Sequence, residues 1–420
     1  MSVETATSPF APKRLAKLPP VEGVSLASYA TGSRYTGRDD LLVAKFAAGT
    51  SVAGVFTTSK MPSAAVDLSR AHLQSGKAGA LVVNAGIANA FTGKAGARAA
   101  MQTARAAAKT FNCPLEQVFV ASTGVIGEDL DAKPLIAGLH AVAPEMPATG
   151  GDYIAAARAI GTTDTFVKVA TRTVTFGKHK VVLNAIVKGS GMIAPDMATL
   201  LAFVFTDAAI PAGVLQKLLS ESNDISLNAI TVDSDTSTSD TCLLFASGCK
   251  KLDGPALRSV QDKRLKAFRT GLRDIMQDIA QQTASDGEGV SKLMTIDVSG
   301  AEDDAAARRI GLAIGSSPLV KTAVAGQDAN WGRIVMAVGK SGEWVERDRL
   351  AIDIGGHKVA RAGRAVAHYK EAPVARHMRG KQIHISVNVG AKAGKGLGKA
   401  RVWASDLTHG YISINADYRS

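Results

Sequence analysis

The chain has 420 residues, of which 46% are hydrophobic and 20% are charged, and its formal net charge is +12. This is a globular composition, long enough for about two to three domain-sized cores. No apolar run reaches membrane-spanning length, and the N-terminus lacks the basic-then-apolar pattern of a secretory signal. The three cysteines form no CxxC pair, which fits a reducing compartment, so we expect a cytoplasmic protein.

Strand-like and helical patterns follow one another irregularly along the chain. Residues 1–20 are a polar, proline-containing lead-in, which we expect to be flexible. Strand-like apolar runs lie at residues 80–84, 118–121, 166–176, 181–187, 200–205, 241–246, 294–298, 383–389 and 411–414. Helical patterns lie at residues 95–110, 214–222, 258–284, 318–324 and 330–338. No regular strand–helix–strand order and no GxGxxG motif after a strand occur, so we predict a mixed α/β fold with sheets between helical layers rather than a dinucleotide-binding fold.

The most basic stretch, residues 376–401, raises the question of an anionic partner. Its part GAKAGKGLGKAR, at residues 390–401, is similar to a phosphate-binding or RNA-binding loop. It lacks the Gly-Lys-Ser/Thr ending of a P-loop, however, and no aromatic residues interleave to stack bases. We therefore favour a solvated, flexible hairpin loop and predict no nucleic-acid partner. The eight histidines are scattered, without HExxH or a His/Cys cluster, so we also predict no zinc site.

The most informative stretch is KGSGMIAPDMAT at residues 188–199. Its last residue, Thr199, directly precedes the apolar run 200–205 and therefore stands at the start of a buried strand. A hydroxyl there can attack the carbonyl of Ala198, cut the chain and leave an N-terminal threonine whose own amine acts as the base. The local pattern alone favours a threonine that only completes a turn.

Further clusters of hydroxyls, carboxylates and glycines can likewise be interpreted as functional or as purely structural. STGVIG at residues 122–127 places the Thr123 hydroxyl next to the Gly124 amide, a pair able to donate to an oxyanion or merely to end a strand. TVDSDTSTSDT at residues 231–241 lacks the glycine and glutamate of an EF-hand calcium loop. In SDGEGV at residues 285–290, Glu288 lies between two glycines, and we expect an exposed carboxylate suited to binding an amine.

Together with ANWGRI at residues 329–334 and NADYRS at residues 415–420, these motifs resemble the ornithine acetyltransferase family of arginine biosynthesis. The resemblance extends from about residue 23 to residue 420. It implies two β-sheets sandwiched between helical layers, similar to N-terminal-nucleophile hydrolases but connected differently. It also implies self-cleavage between Ala198 and Thr199, which would leave residues 21–198 and 199–420 as two chains held by one core.

The resemblance also implies roles for individual residues. Thr199 would be the nucleophile, with Thr123 and Gly124 as the oxyanion hole and the loop 231–241 as support around the nucleophile. The implied substrate contacts are Thr162, Lys188, Thr199, Glu288, Asn415 and Ser420. An acetyl group would pass from N-acetylornithine to Thr199 and then to glutamate in a ping-pong reaction. The resemblance implies no metal or cofactor, leaves acetyl-CoA open as an additional donor, and implies a heterotetramer of two α and two β chains.

Some positions depart from the family pattern. Residues 84–89 read NAGIAN where the family usually has NSGNAN, Ser405 replaces a common cysteine, and the last residue is Ser420 where threonine is frequent. None of these positions carries the implied acetyl transfer, but they weaken inferences about fine specificity. Two other enzyme classes stay open: an N-terminal-nucleophile amidohydrolase or aminopeptidase, and an acetyltransferase of secondary metabolism. A non-enzymatic nucleic-acid binder is the third alternative, motivated by the basic stretch.

Overall fold

The computed structural model describes residues 6–194, 200–390 and 397–416. The strands in these ranges are β1 (Val24–Tyr29), β2 (Leu41–Phe46), β3 (Ser51–Phe56), β4 (Ala80–Ile87), β5 (Val118–Val125), β6 (Lys168–Phe176), β7 (His179–Lys188), β8 (Leu201–Ala208), β9 (Ile230–Thr231), β10 (Thr241–Lys250), β11 (Leu293–Ala301), β12 (Ala351–Ile354), β13 (His357–Arg361), β14 (Arg364–Ala365), β15 (Gln382–Asn388) and β16 (Gly398–Ser405). The α-helices are α1 (Ala64–His72), α2 (Gly93–Phe111), α3 (Ala132–Val142), α4 (Tyr153–Ile160), α5 (Ala212–Asp224), α6 (Lys266–Ala284), α7 (Asp304–Gly315), α8 (Pro318–Ala325), α9 (Trp331–Gly339), α10 (Glu371–Met378) and α11 (His409–Ala416).

Two sheets face each other in the first part of the chain. The first sheet has the strand order β1-β2-β4-β5 and the second has the order β3-β10-β8-β7-β6. Their facing sides share one buried cluster, in which the Phe46 ring stacks on the Phe245 ring at 4.3 Å between centroids, and Phe205 stacks on the same ring. The strands carry continuous apolar runs because both faces of each sheet are covered.

Helices cover the outer faces of this pair of sheets. α1, α2 and α3 pack on the first sheet, where small alanines of α2 lie against Val82 and Val120. α5 and α6 pack on the second sheet through apolar residues repeated at helical spacing, including Leu272, Ile275 and Ile279 of α6. The predicted α/β architecture, with two sheets between helical layers, is confirmed.

A third sheet, with the order β14-β13-β12-β15-β11-β16-β9, was not predicted from the sequence. It contains the two-residue strands β9 and β14, and its strand pairs are partly parallel and partly antiparallel. α7 packs on its central strands β11 and β16, and its apolar side chains continue the cluster that lies behind the second sheet. The sheet matters for function because the strand β16 leads into α11, which reaches the candidate site.

Three element predictions were wrong. The long helix predicted at 258–284 begins only at Lys266, after a 3₁₀ turn that Asp262 caps by accepting from the Arg264 amide. The apolar run 411–414 lies in the helix α11 rather than in a strand. The strands β15 and β16 are not a hairpin because β11 lies between them; residues 391–396 of the basic loop lie outside the described residues.

The lead-in is partly anchored rather than flexible along its whole length. Residues 1–5 lie outside the described residues, but Ser8 is buried. Its amide donates to the Thr165 hydroxyl at 2.9 Å, and its own hydroxyl donates to the Ser285 carbonyl at 2.7 Å. Phe10 packs against the core next to it. Across the described ranges, none of the helices combines the length and the apolar character that crossing a bilayer requires.

Candidate active site

One cavity of about 320 Å³ opens where strands β5 and β7 end. Every predicted site residue that the structure describes contributes to its wall: Thr123, Gly124, Thr162, Lys188, Glu288 and Asn415. They come from β5, from the loop after α4, from β7, from the loop after α6 and from α11. The remaining predicted residues, Ala198, Thr199 and Ser420, lie outside the described residues. The cavity has the size of a small-molecule site.

The end of β5 has a backbone that only glycine can adopt there. Gly124 has φ +130°, and a Cβ atom added to it would lie 2.1 Å from the backbone carbonyl carbon of Gly86 on the neighbouring strand β4. The two glycines are directly paired in the parallel β4–β5 ladder. Any side chain at position 124 would push the strands apart. Gly124 therefore allows the close pairing of β4 and β5 that places Thr123 at the cavity.

Lys188 ends β7 inside the protein, with 3% of its surface exposed. Its ammonium nitrogen lies 3.1 Å from the Thr123 hydroxyl oxygen. In the antiparallel β7–β8 pair, Lys188 is directly opposite Leu201, two residues after the predicted nucleophile. Burial lowers the pKa of Lys188, and the nearby Lys168 charge acts in the same direction, although Asp164 opposes it.

A buried ion cluster lies behind this wall. The Lys168 ammonium pairs with Asp164 Oδ1 and Asp286 Oδ2, each at 2.5 Å, and all three side chains are almost completely buried. Burial alone would raise the pKa of Asp164, but the Lys168 and Lys188 charges outweigh it, so that this pKa lies below its ordinary value. Asp164 also accepts from the amides of Gly189 and Thr162 at 2.7 and 3.1 Å. The cluster therefore joins two segments of the cavity wall.

Glu288 is buried, with 7% of its surface exposed, and the expectation of an exposed carboxylate was wrong. The Asn415 side-chain amide donates to its Oε2 at 2.8 Å, which brings α11 over the cavity. Gly191 leaves the room that the carboxylate needs, since a Cβ there would lie 2.5 Å from Glu288 Oε2. Burial raises the pKa of Glu288, although hydrogen bonds from Asn415 and Thr163 partly offset this effect.

Two aspartates of the loop 231–241 hold the chain on both sides of residues 195–199. Asp233 accepts from the Met192 and Ile193 amides at 2.5 and 2.8 Å. Asp240 accepts from the Leu200 amide at 2.7 Å, and that nitrogen is bonded to the carbonyl carbon of Thr199. The motif was interpreted as support around the nucleophile, and this role stays a prediction; the structure shows which two carboxylates bind the backbone there.

Asp240 is an unusual buried carboxyl group. It is fully buried, and its Oδ2 has no hydrogen-bond partner among the described residues. Burial raises its pKa well above the ordinary value, against the opposing effects of the Leu200 amide and the Lys188 charge. A carboxyl group in such surroundings is favoured in its neutral form.

Sequence reasoning missed several residues of the site. Tyr411 lines the cavity, and its hydroxyl donates at 3.3 Å to Oδ2 of Asp233 in the loop 231–241. Lys168 and Asp286 meet although 118 positions separate them. Only the spacing of Asp164 and Lys168, four residues apart, gave a local signal of pairing.

The described part of the chain contains no group of three or more His, Cys, Asp or Glu residues placed to hold a metal ion. In the acidic loop 231–241, Asp233 and Asp240 bind backbone amides instead, and Asp233 and Asp235 line the cavity. The absence of a metal or cofactor stays a prediction.

Comparison with known proteins places this chain in a family. The model of the ArgJ family matches residues 25–420. Proteins named arginine biosynthesis bifunctional protein ArgJ are 51% identical in Bradyrhizobium diazoefficiens, over 100% of both chains, and 52% identical in Rhizobium meliloti, over 99% of each. A crystal structure of arginine biosynthesis bifunctional protein ArgJ from Bacillus halodurans is 37% identical, covers 51% of this chain and 98% of its own, and has a TM-score of 0.48.

The protein described here belongs to the ArgJ family. The resemblance inferred from the motifs is thereby confirmed over nearly the whole chain.

Proposed function

We propose that this protein is an acetyltransferase of arginine biosynthesis, which moves the acetyl group of N-acetylornithine to glutamate through an ester on Thr199. The products are ornithine and N-acetylglutamate. The observation that carries the proposal is the convergence of Thr123, Gly124, Lys188 and Glu288 on one cavity beside the start of β8. The names of the close relatives, which are arginine biosynthesis proteins, support the same pathway.

The first chemical event is maturation of the chain. The Thr199 hydroxyl oxygen bonds to the Ala198 carbonyl carbon, the peptide C–N bond breaks, and water then hydrolyses the resulting ester. Thr199 becomes an N-terminal residue whose α-amine has a reference pKa of about 7.7–8.0 and is able to act as a base near neutral pH. Asp233 and Asp240 hold the two flanks of this segment through backbone amides.

The transfer itself takes two steps. Thr199 Oγ bonds to the acetyl carbon, its proton passes to the α-amine, and the amide bond to ornithine breaks as the leaving nitrogen takes that proton. Glutamate then binds, and its amine attacks the ester and restores the Thr199 hydroxyl. In both steps the acetyl oxygen becomes an oxyanion, to which the Thr123 hydroxyl and the Gly124 amide donate.

One amino-acid site serves both the donor and the acceptor. We assign Glu288 to a substrate amine, with Asn415 fixing its orientation at 2.8 Å, and Lys188 to a substrate carboxylate. Thr162 and Ser420 complete the contacts with substrate. Because glutamate has to wait for ornithine to leave, the reaction is ping-pong.

The cleaved chains, 21–198 and 199–420, would stay together because β7 and β8, one from each, are antiparallel neighbours in the second sheet. We further propose a heterotetramer of two α and two β chains in the cytoplasm, without metal or cofactor. The relatives are called bifunctional, which supports a second activity; we assign to it acetyl-CoA as an acetyl donor for glutamate.

Isotope exchange tests the ping-pong route. Labelled ornithine mixed with N-acetylornithine and enzyme, without glutamate, should become labelled N-acetylornithine, since the acetyl-enzyme forms and returns without an acceptor. Thr199→Ala serves as the control and should give neither self-cleavage nor exchange. Transfer to glutamate without ornithine exchange would contradict a covalent intermediate. Release of acetate with no transfer to any amino acid would instead indicate a hydrolase.

A further inference from the structure

Lys188 is a buried cation without a carboxylate partner among the described residues. None of the ion pairs in the described ranges includes it, and its ammonium nitrogen has the Thr123 hydroxyl as its hydrogen-bond partner, at 3.1 Å. Buried lysines are normally paired, because removing an isolated charge from water is costly. The exception therefore needs an explanation in terms of what the charge does at the cavity.

The two carboxylates of the neighbouring ion cluster are already occupied. Lys168 pairs with Asp164 Oδ1 and Asp286 Oδ2, each at 2.5 Å, and Asp164 Oδ1 also accepts from the Gly189 amide at 2.7 Å. Both carboxylates of the cluster are in direct contact with Lys168, whereas the Lys188 ammonium contacts the Thr123 hydroxyl on the cavity wall. Two lysines of one buried site are used differently, one for structure and one facing the cavity.

The hydrogen bond between Lys188 and Thr123 has a fixed direction when the lysine is charged. An ammonium group has three donors and no acceptor, so the Thr123 oxygen must accept. The single hydroxyl proton of Thr123 is then free to point elsewhere. Thr123 lines the cavity, and no described acceptor takes this proton. The charge next to the oxygen also makes the hydroxyl a stronger donor.

Building on the proposed function, we infer that Lys188 is a positioning residue of the oxyanion site, which sets the Thr123 hydroxyl to donate into the cavity. As Thr199 Oγ bonds to the acetyl carbon, the electron pair of the carbonyl double bond moves to oxygen. The Thr123 hydroxyl and the Gly124 amide receive this oxyanion, and the Lys188 charge strengthens the first of them. This role is separate from contact with a substrate carboxylate.

An acetyl donor without a carboxylate or an amine separates the two roles. In p-nitrophenyl acetate, the bond from the acetyl carbon to the phenol oxygen breaks, nitrophenolate leaves with the electron pair, and the Thr199 α-amine holds the proton from the attacking hydroxyl. Acetylation of Thr199 by this ester still creates an oxyanion but gives Lys188 no carboxylate to bind. An effect of Lys188 on this reaction must therefore come through the oxyanion site.

The experiment compares full-length matured enzymes by the burst of nitrophenolate. We expect Lys188→Met to slow acetylation by at least about tenfold and Thr123→Val by about 10²–10³-fold. The double variant should be no slower than Thr123→Val, because Lys188 acts through that hydroxyl. Lys180→Met, at an exposed position of the same strand β7, is the matched control and should react like the unmodified enzyme. An unchanged burst rate in Lys188→Met, with a raised KM for N-acetylornithine, would overturn the inference.

The pH profile gives a second measurement that does not depend on maturation of Lys188→Met. The titratable groups facing Lys188 are Asp164, Lys168, Asp240 and Glu288. Since burial lowers the pKa of Lys188 from 10.5, the ammonium and its effect are present at lower pH and lost as the pH rises through that lowered value. The burst rate should fall there, and Lys188→Arg, whose guanidinium stays charged, should move the fall to higher pH. A fall at the same pH in Lys188→Arg would overturn the inference.

Failure of the proposed function has a different signature. If quenched wild-type enzyme shows no acetyl group on the chain that begins at Thr199, the proposed function and this inference fall together. If that chain is acetylated and Lys188→Met reacts at the rate of Lys180→Met, the inference falls alone.

Discussion

The ion cluster around Lys168 and the cavity wall around Lys188 each contain a buried lysine, but the two lysines have different partners. Lys168 has two carboxylate partners at 2.5 Å, whereas Lys188 has a hydroxyl partner and none of the carboxylates in the described ranges pairs with it. In the cluster every charged group has a direct partner of opposite sign, and Asp164 ties the wall segments together. The wall holds one lysine without a direct ion-pair partner among the described residues, next to the cavity. A buried lysine with carboxylate partners indicates a structural role, and a buried lysine without them next to a cavity indicates a role in the chemistry of the site.

The largest expected effect is on stability and comes from a substitution that breaks the ion cluster. Lys168→Met leaves Asp164 and Asp286 without their shared cation, and removing one partner of a buried ion pair costs about 3–5 kcal/mol. We expect the free energy of unfolding to fall by about that amount, measured by chemical denaturation. The control is Arg172→Met, on the same strand β6, whose pair with Asp278 is partly exposed and is worth about 0–1 kcal/mol. Equal losses in the two variants would contradict the assigned role of the cluster.

An intermediate effect is expected in the loop 231–241, which binds the backbone on both sides of the predicted cleavage site. Asp240→Ala leaves the buried Leu200 amide without its acceptor, a loss of about 1–3 kcal/mol. We expect slower self-cleavage, followed as the half-time for appearance of the two chains on a denaturing gel. Asp240→Asn is the matched variant, because its side-chain oxygen still accepts from that amide. Cleavage of Asp240→Ala at the normal rate would show that the Leu200 contact does not position the bond.

The smallest effect concerns the contact between α11 and the same loop. Tyr411→Phe removes a hydroxyl that donates to Asp233 Oδ2 at 3.3 Å, and a single hydrogen bond contributes about 0.5–1.5 kcal/mol. We expect kcat/KM for N-acetylornithine to fall by no more than about tenfold, with stability almost unchanged. A much larger fall would mean that Tyr411 contacts the substrate directly.

The sequence predicted more of the site than of its support. Thr123, Gly124, Lys188 and Glu288 were identified because they lie in motifs that resemble those of the ornithine acetyltransferase family, whereas their local patterns alone left the site undecided. The ion cluster was not predicted, since Lys168 and Asp286 meet only through the fold. Glu288 was expected to be exposed because its glycine neighbours suggested an open loop; the packing of α11 above it has no local signal.

The errors in the predicted fold have similar causes. The apolar run 411–414 favoured a strand, but the segment forms the surface helix α11, in which no side chain is buried. The third sheet escaped prediction because several of its strands are too short to show a period. The pair of sheets between helices was predictable because long apolar runs such as β4, β7 and β8 are buried on both faces.

The intact mass of the denatured chains gives the sharpest test of Thr199 as the nucleophile. We predict two chains, the second beginning Thr199-Leu-Leu-Ala, and this second chain should gain the mass of one acetyl group after mixing with N-acetylornithine and lose it after glutamate is added. A single uncut chain near 43.5 kDa, or an acetyl group on the first chain instead, would contradict Thr199 as the nucleophile.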